Sequence, residues 1–483
     1  MQLTTILKII GILLTMFSFS MLPPLLVNYI YQDGEYIPFI ISFIICLGAG
    51  VSLWLMFCHA KHDLKTRDGF LIVVLFWFVL CGFAAIPFML AQQPHLAPVD
   101  ALFESVSGFT TTGASILTNI EALPRAILYY RQQLQFLGGM GIVVLAVAIL
   151  PILGIGGMQL YRAETPGPLK DSKLTPRITE TAKVLWVIYV GLTASCAIAY
   201  YIAGMNAFDA ILISFSTVST GGFVPYDASI GYFQNPLIEY IAVIFMILGG
   251  VNFALHFVAF KEKRLSHYWA DEEFRTYLYM LLITCTIAVI ALMVANSYVT
   301  PIEALNKSVF NVVSLATTTG FISGPFSHWP LFLPVFIMIV AIIGGSAAST
   351  SGGVKVIRSL LILKQSRREM LHLLHPQAVM TLKFGNRVLP ERVMHSMWAF
   401  LSTFIALYII LTLLLMMGGL DFVHATSAAT ASLANAGAAT GHLIVDFSLI
   451  SDMNKWLMTL AMIAGRLEIF SLLVLFTPEF WRK

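Results

Sequence analysis

The chain has 483 residues, of which 58% are hydrophobic and only 11% charged, and its mean hydropathy is +0.84. A soluble domain carries about a quarter charged residues, so an ordinary soluble protein is excluded. The formal net charge of +3 offers no strongly basic surface for nucleic acid. The five cysteines (Cys46, Cys58, Cys81, Cys196, Cys285) lie in or beside apolar stretches and read as small apolar residues, with no disulfide framework or spaced metal motif.

The first apolar run, 6–31, is too long for a signal-peptide core and lacks a small-residue cleavage site, so it reads as a retained helix. Basic residues then cluster at 61–67, 162–183, 261–275, 355–392 and the terminal Arg482-Lys483, while the loops 32–36 and 206–235 hold neither Lys nor Arg. The positive-inside rule places every cluster, and both termini, in the cytoplasm.

Between the clusters one unit recurs four times: an apolar helix, a shorter polar-tinged segment and a second apolar helix. Each short segment opens on an acid and closes on a turn ending in glycine. The pairs are Asp100 and Gly113, Asp209 and Gly222, Glu303 and Gly320, Asp421 and Gly437. Their spacings of 13, 13, 17 and 16 residues predict about one extra helical turn in the third and fourth copies. The turns read Thr110-Thr111-Thr112-Gly113, Ser219-Thr220-Gly221-Gly222, Thr317-Thr318-Thr319-Gly320 and Ala434-Asn435-Ala436-Gly437. The second helices repeat as well: Gly138-Gly139, Gly249-Gly250, Gly344-Gly345 and Gly465-Arg466 fall 25, 27, 24 and 28 residues after the loop glycines.

Segments of 13 to 17 residues are too short to span a bilayer, so each is predicted to enter and leave on the outer side. An acid at the start suits the positive end of a helix whose negative end then points to the membrane centre, where it favours a cation. Non-helical backbone at that depth is tolerated only where it is buried in protein or lines a water-filled path. Carbonyls aimed at such a path can replace the hydration shell of a permeating cation. The competing reading of any single turn is a plain loop between two helices.

Two further features stand out. The run Gly344-Gly345-Ser346-Ala347-Ala348-Ser349-Thr350-Ser351-Gly352-Gly353 should break its helix and face the pore, a close-packed small-residue contact being the alternative. Arg466 sits midway along the apolar segment 456–477, where an arginine needs a partner or a wet cavity; Glu468 is too near in sequence to share its face. Glu468 is also the one acid noted in the middle of a second helix.

At these residues the sequence resembles the Trk/Ktr/HKT superfamily of cation transporters, most closely its bacterial TrkH/TrkG-type potassium-uptake members. The likeness runs over essentially the whole chain. It includes Arg67-Asp68-Gly69-Phe70-Leu71-Ile72-Val73-Val74, the run 154–164 from Gly154 to Glu164, Gly465-Arg466-Leu467-Glu468-Ile469-Phe470 and Thr477-Pro478-Glu479-Phe480-Trp481. The resemblance implies an all-α polytopic membrane protein, with four helix–re-entrant loop–helix repeats pseudo-fourfold around one pore. Two extra helices, about 4–31 and 36–57, precede them. The divisions are a two-helix unit with its loop at 1–68 and pore repeats at 69–160, 161–260, 261–363 and 364–483.

The same resemblance implies potassium uptake across the bacterial inner membrane. The selectivity filter would comprise Thr111, Thr112, Gly113, Thr220, Gly221, Gly222, Thr318, Thr319, Gly320, Asn435, Ala436 and Gly437. Glycine at Gly113 points to potassium, since a serine there accompanies sodium preference in plant relatives. The gate would comprise Gly344, Gly345, Ser346, Ser349, Thr350, Ser351, Gly352, Gly353 and Arg466, the arginine lying just under the filter. It further implies a homodimer with one pore per protomer and a cytosolic TrkA-type subunit that binds NAD and adenine nucleotides, docking on 364–392. No P-loop or strand-borne GxGxxG occurs in this chain, so no cofactor is expected on it. The fourth loop departs from the family pattern Asn-Asn-x-Gly-Pro-Gly, reading Ala434-Asn435-Ala436-Gly437-Ala438-Ala439, and the third second-helix run is less glycine-rich than usual.

A proton- or sodium-coupled transporter is the competing class, but such proteins often carry inverted repeats, whereas these run the same way. An enzyme is excluded by the lack of a catalytic constellation; His372 and His375 lie in a basic loop.

Overall fold

The computed structural model describes all residues except 1, 61–64, 142–177, 299, 325–328, 379, 386, 438–446 and 483. The stretch 154–164 and the residues Ala438 and Ala439 lie outside the described residues.

The N-terminal run forms the one span expected, Leu3–Tyr31, its helices Leu3–Ser18 and Leu22–Tyr31 continuous through a tighter helical turn at Phe19–Met21. Pro23 and Pro24 account for the tightened turn, because each ring would clash with the carbonyl four residues earlier in a regular α-helix. Helix Tyr36–Met56 then packs on the first, backbone to backbone. A Cβ added at Gly11 would lie 2.7 Å from the Trp54 nitrogen, and one at Gly50 would lie 2.6 Å from the Thr15 nitrogen. Small residues at such a crossing substitute for the hydrophobic drive that lipid removes. Gly50→Leu is therefore expected to destabilise this pair by about 1–3 kcal/mol, read as a lower thermal unfolding temperature in detergent.

Four repeats follow. Their outer helices are Thr66–Ala84, Ile178–Ile202, Glu272–Val294 and Glu391–Met417. Their pore helices are Pro98–Phe109, Ala207–Val218, Pro301–Ala316 and Phe422–Leu433. The inner helices begin as Arg125–Phe136, Pro236–Gly249, Phe332–Ile343 and Asp452–Arg466.

Helix starts explain the uneven acid-to-glycine spacing. Asp100, Asp209 and Glu303 are the third residues of their pore helices, whereas Asp421 is the N-cap of the fourth and accepts from the Val423 amide at 3.2 Å. The third pore helix, with 16 residues against 12, has a genuine extra turn. The fourth has 12 residues, so the extra turn expected there is absent: its acid has moved three positions earlier, where it serves the helix dipole equally well.

The inner helix of each repeat packs against the pore helix of the next, and the fourth against the first, so the ring closes. Ion pairs reinforce two of these seams: Glu239 to Lys307 at 2.7 Å and Lys455 to Asp100 at 2.6 Å. Apart from the third, whose break its glycine-rich run predicts, the inner helices are not the unbroken spans expected. The second bends by 94° into Phe253–Glu262 and the fourth by 105° into Phe470–Phe476. The third opens into a loop before Val356–Leu374, and the first passes into a π-helical turn at Leu137–Gly141.

The glycine doublets stand at these breaks for a steric reason. A Cβ on Gly138, Gly249 or Gly465 would collide with the carbonyl of Phe109, Val218 or Leu433, the last residue of that repeat's own pore helix. Apart from the small hairpin pairing Lys383–Phe384 with Arg387–Val388, the described residues are helices and connecting loops. Six described helices are long and apolar enough to cross a membrane, eight if each bent pair counts as one.

Candidate ion-conduction site

Each pore helix ends in the same way. The residue two before the loop glycine takes the left-handed conformation: φ is +55° at Thr111, +51° at Thr220, +59° at Thr318 and +50° at Asn435. The next amide donates back to the carbonyl five residues earlier, Thr112 to Ser107 at 2.9 Å, Gly221 to Ser216 at 2.8 Å, Thr319 to Ser314 at 2.8 Å and Ala436 to Ala431 at 3.0 Å. This is a Schellman cap, normally closed by glycine. Placing threonine there costs about 1–3 kcal/mol, backbone strain of a kind that collects at functional sites.

The cap occupies amides and leaves carbonyls. Among the described residues, the carbonyl oxygens of Thr111, Thr112, Gly113, Thr220, Gly222, Thr318, Thr319, Gly320, Asn435, Ala436 and Gly437 accept no hydrogen bond. Only that of Gly221 does, from Gln135 Nε2 at 2.6 Å. These loops are buried, and free carbonyls at such depth survive only along a path that can solvate them or be solvated by them.

The four loops face one another. A Cβ on Gly113 would strike the Gly221 carbonyl, one on Gly222 that of Thr319, and one on Gly437 that of Thr112. Glycine is thus required by φ, which is +83°, +88° and +65° at these three, and by the neighbouring loop. Asn435 reaches from loop four to loop one, donating to Thr112 Oγ1 at 2.8 Å, and also to the Met462 carbonyl at 3.0 Å. The described part of the departed fourth loop therefore keeps both the cap and a link to its neighbour.

Against the pore-helix end of this ring lies the segment 344–355. Gly344 leaves its helix at φ +74° and Gly353 sits at +78°, while the Gly345 carbonyl accepts from Val356 at 3.0 Å. The Ser346 amide donates to Gly250 at 2.9 Å, and the Ser349 hydroxyl to Ser346 at 2.6 Å. The Thr350 hydroxyl is 3.0 Å from the carbonyls of Val218 and Gly249 and 3.2 Å from the Thr220 hydroxyl. The Gly352 amide donates to Thr318 Oγ1 at 2.7 Å, and its α-carbon leaves no room for a side chain against the Ala434 carbonyl. Lys355 Nζ donates to the Ser351 carbonyl.

Arg466 completes the contact with the first loop, donating to Thr111 Oγ1 at 3.3 Å, Thr350 O at 3.2 Å and the carbonyls of Gly138 and Gly139, each at 2.6 Å. The segment and Arg466 together touch all four loops on one side.

Arg466 is the last residue of its helix, not the middle of a continuous span as expected from 456–477, because the chain turns there through Glu468 and Ile469 at φ +51° and +58°. A cation suits that negative helix end. Glu468, set aside as its partner, pairs with Arg358 and ties the broken inner helices of repeats three and four together. Sequence reasoning missed several polar residues around the ring. Glu104, in the first pore helix, is fully buried and paired with Arg131 at 2.7 Å, whereas Glu468 is only partly buried. Gln135 also accepts from the Phe223 amide at 3.0 Å, and Glu273 accepts from the Ala347 amide at 2.6 Å. An arginine or amide side chain within the run that precedes a glycine doublet, such as Arg131 and Gln135, was the available signal.

On the far side, helix Val356–Leu374 carries Lys364, paired with Glu272, and leaves Leu373 and Leu374 exposed.

The profile of the family described as "TrkH: Cation transport protein" matches residues 37–483. The chain is 48% identical to the Trk system potassium uptake protein TrkH of Vibrio parahaemolyticus and 50% identical to that of Halomonas elongata, covering 100% of both chains in each case. It is 39% identical to the Trk system potassium uptake protein TrkG of Escherichia coli, over 98% of this chain and 97% of that one. The crystal structure of the potassium transporter TrkH from Vibrio parahaemolyticus superposes with a TM-score of 0.91 at 45% identity, over 100% of both chains. With four capped loops around one axis and this likeness over its full length, the chain belongs to the TrkH family of cation transport proteins, transporters rather than enzymes.

Proposed function

We propose that this chain takes up potassium through a channel-like pore whose selectivity filter is the ring of loop carbonyls and whose gate is the segment 344–353 with Arg466. The observation that carries this reading is the fourfold Schellman cap, which spends the amides of the loops on their own helices and leaves the carbonyls free. Potassium is the ion named for the relatives. The filter positions Thr111, Thr112, Gly113, Thr220, Gly221, Gly222, Thr318, Thr319, Gly320, Asn435, Ala436 and Gly437 would strip and replace its water.

In this reading the protein lies in the bacterial inner membrane with both termini cytoplasmic, in accord with the basic clusters. It works as a homodimer under a TrkA-type cytosolic subunit that carries the NAD or adenine nucleotide. The exposed apolar and basic face of Val356–Leu374 is the docking surface, and its helix leads directly out of the gate segment.

Expression in cells stripped of their own potassium uptake systems tests the reading. Growth in low-potassium medium is expected to return. A chain that reaches the membrane yet restores no growth, with or without a Trk-type regulatory subunit, overturns it.

A further inference from the structure

Glu104 and Arg131 form an ion pair with side chains 0% and 1% exposed, 2.7 Å apart, directly behind the first loop. Removing two charges from water costs several kcal/mol, and apolar residues of similar volume often serve stability as well or better. Stability alone therefore does not account for the pair, and its bonding to the neighbouring loop is the feature that apolar packing could not supply.

The Glu104 carboxylate accepts from the Ile116 amide at 3.2 Å and from the Ser115 hydroxyl at 3.1 Å. Arg131 Nη2 donates to the same hydroxyl at 3.0 Å. Ser115 and Ile116 are the second and third residues after the loop glycine Gly113, on the strand that leaves the filter. The Ser115 carbonyl accepts from the Phe447 amide of repeat four at 2.9 Å. The Arg131 guanidinium lies 4.3 Å from the ring centre of Phe223, which follows the second loop glycine. One pair thus grips the exit of loop one and reaches loops two and four.

Among the described residues no other repeat has a Glu–Arg pair at these positions. The residues nine before the remaining loop glycines are Ile213, Asn311 and Ala428. Asn311 holds Ser323 in the equivalent exit strand by accepting from its amide at 3.3 Å, and Lys307, paired with Glu239, donates to the Ser323 carbonyl at 3.0 Å. In the first loop the Glu104 carboxylate takes both the Ser115 hydroxyl and the Ile116 amide, and Arg131 bonds that carboxylate and the same hydroxyl, a set of charge-assisted bonds that restricts where the strand can sit.

We propose that Glu104 and Arg131 are specificity-determining positioning residues: they hold the exit strand of loop one so that the Gly113 carbonyl ring keeps one diameter, and with it the preference for potassium over sodium. This rests on the conduction reading above.

The test is the ratio of Rb⁺ to Na⁺ flux in proteoliposomes for the wild type, Glu104→Gln, Ser115→Ala and the apolar double variant E104L/R131M. Each protein is checked for a monodisperse, cooperatively unfolding preparation. The double variant removes the grip without stranding a charge, and Ser115→Ala removes one contact without touching the pair. The expected result is a ratio lower by about fivefold to tenfold in Glu104→Gln and the double variant, with a smaller fall in Ser115→Ala. A pair that only stabilises the fold would lower yield or unfolding temperature and leave the ratio unchanged; that result in the double variant overturns the proposal. A wild type with no preference for Rb⁺ overturns the conduction reading itself, a separate failure.

Discussion

Gly113→Ser is expected to lower Rb⁺ flux and the preference of Rb⁺ over Na⁺ together, by about tenfold or more. Two costs combine. The backbone at φ +83° disfavours any side chain, at about 1–3 kcal/mol. The new Cβ also overlaps the Gly221 carbonyl oxygen, which cannot retreat because Gln135 Nε2 holds it from behind at 2.6 Å. One loop must move, and each kcal/mol of misplacement there is worth about fivefold in relative ion binding. Gly34→Ser is the control: its φ is +81°, but nothing lies within 4 Å of the added atom, so flux should stay at the wild-type level. Equal losses in both variants would mean that backbone strain alone, and not the shared carbonyl ring, governs the effect.

Arg466→Ala is expected to raise cation flux by about tenfold. Two like charges roughly 5 Å apart repel by about 3 kcal/mol at an effective dielectric of about 20, so the guanidinium under the ring is a barrier to any cation leaving it. The same side chain also fastens the Thr350 carbonyl, and therefore the segment 344–353, to the first loop and to Gly138 and Gly139. Alanine removes both the barrier and the fastening. Arg466→Lys separates them: it keeps the charge but not the fork, and should stay close to wild-type flux if charge dominates. Unchanged or reduced flux in a folded Arg466→Ala protein contradicts this account of the arginine.

What could be read ahead of the structure was whatever repeats within the chain. Acid, turn and glycine recur because each copy must start a short helix at its positive end and stop it with left-handed backbone, requirements that act through residues close in sequence. The unread parts depend on partners distant in sequence. Asp421 at an N-cap and Asp100 inside a first turn satisfy the same dipole, so spacing alone could not separate a longer helix from an earlier acid. The doublets Gly138-Gly139, Gly249-Gly250 and Gly465-Arg466 were visible, but not that their helices turn there, since the cause is a pore-helix carbonyl pressed against each first glycine. Glu468 found Arg358, and Glu104 found Arg131, across separations of 110 and 27 residues. In each case burial decided the pairing, and neither periodicity nor hydropathy encodes it.

The central claim is that the four loop-carbonyl sets form one potassium-selective path. Its most direct test is the flux of Rb⁺ against Na⁺ into liposomes holding the purified wild-type chain, with no proton gradient imposed. The account predicts Rb⁺ entry down its own electrochemical gradient, favoured over Na⁺. Flux that needs a proton gradient, or that admits Na⁺ as readily as Rb⁺, would contradict it.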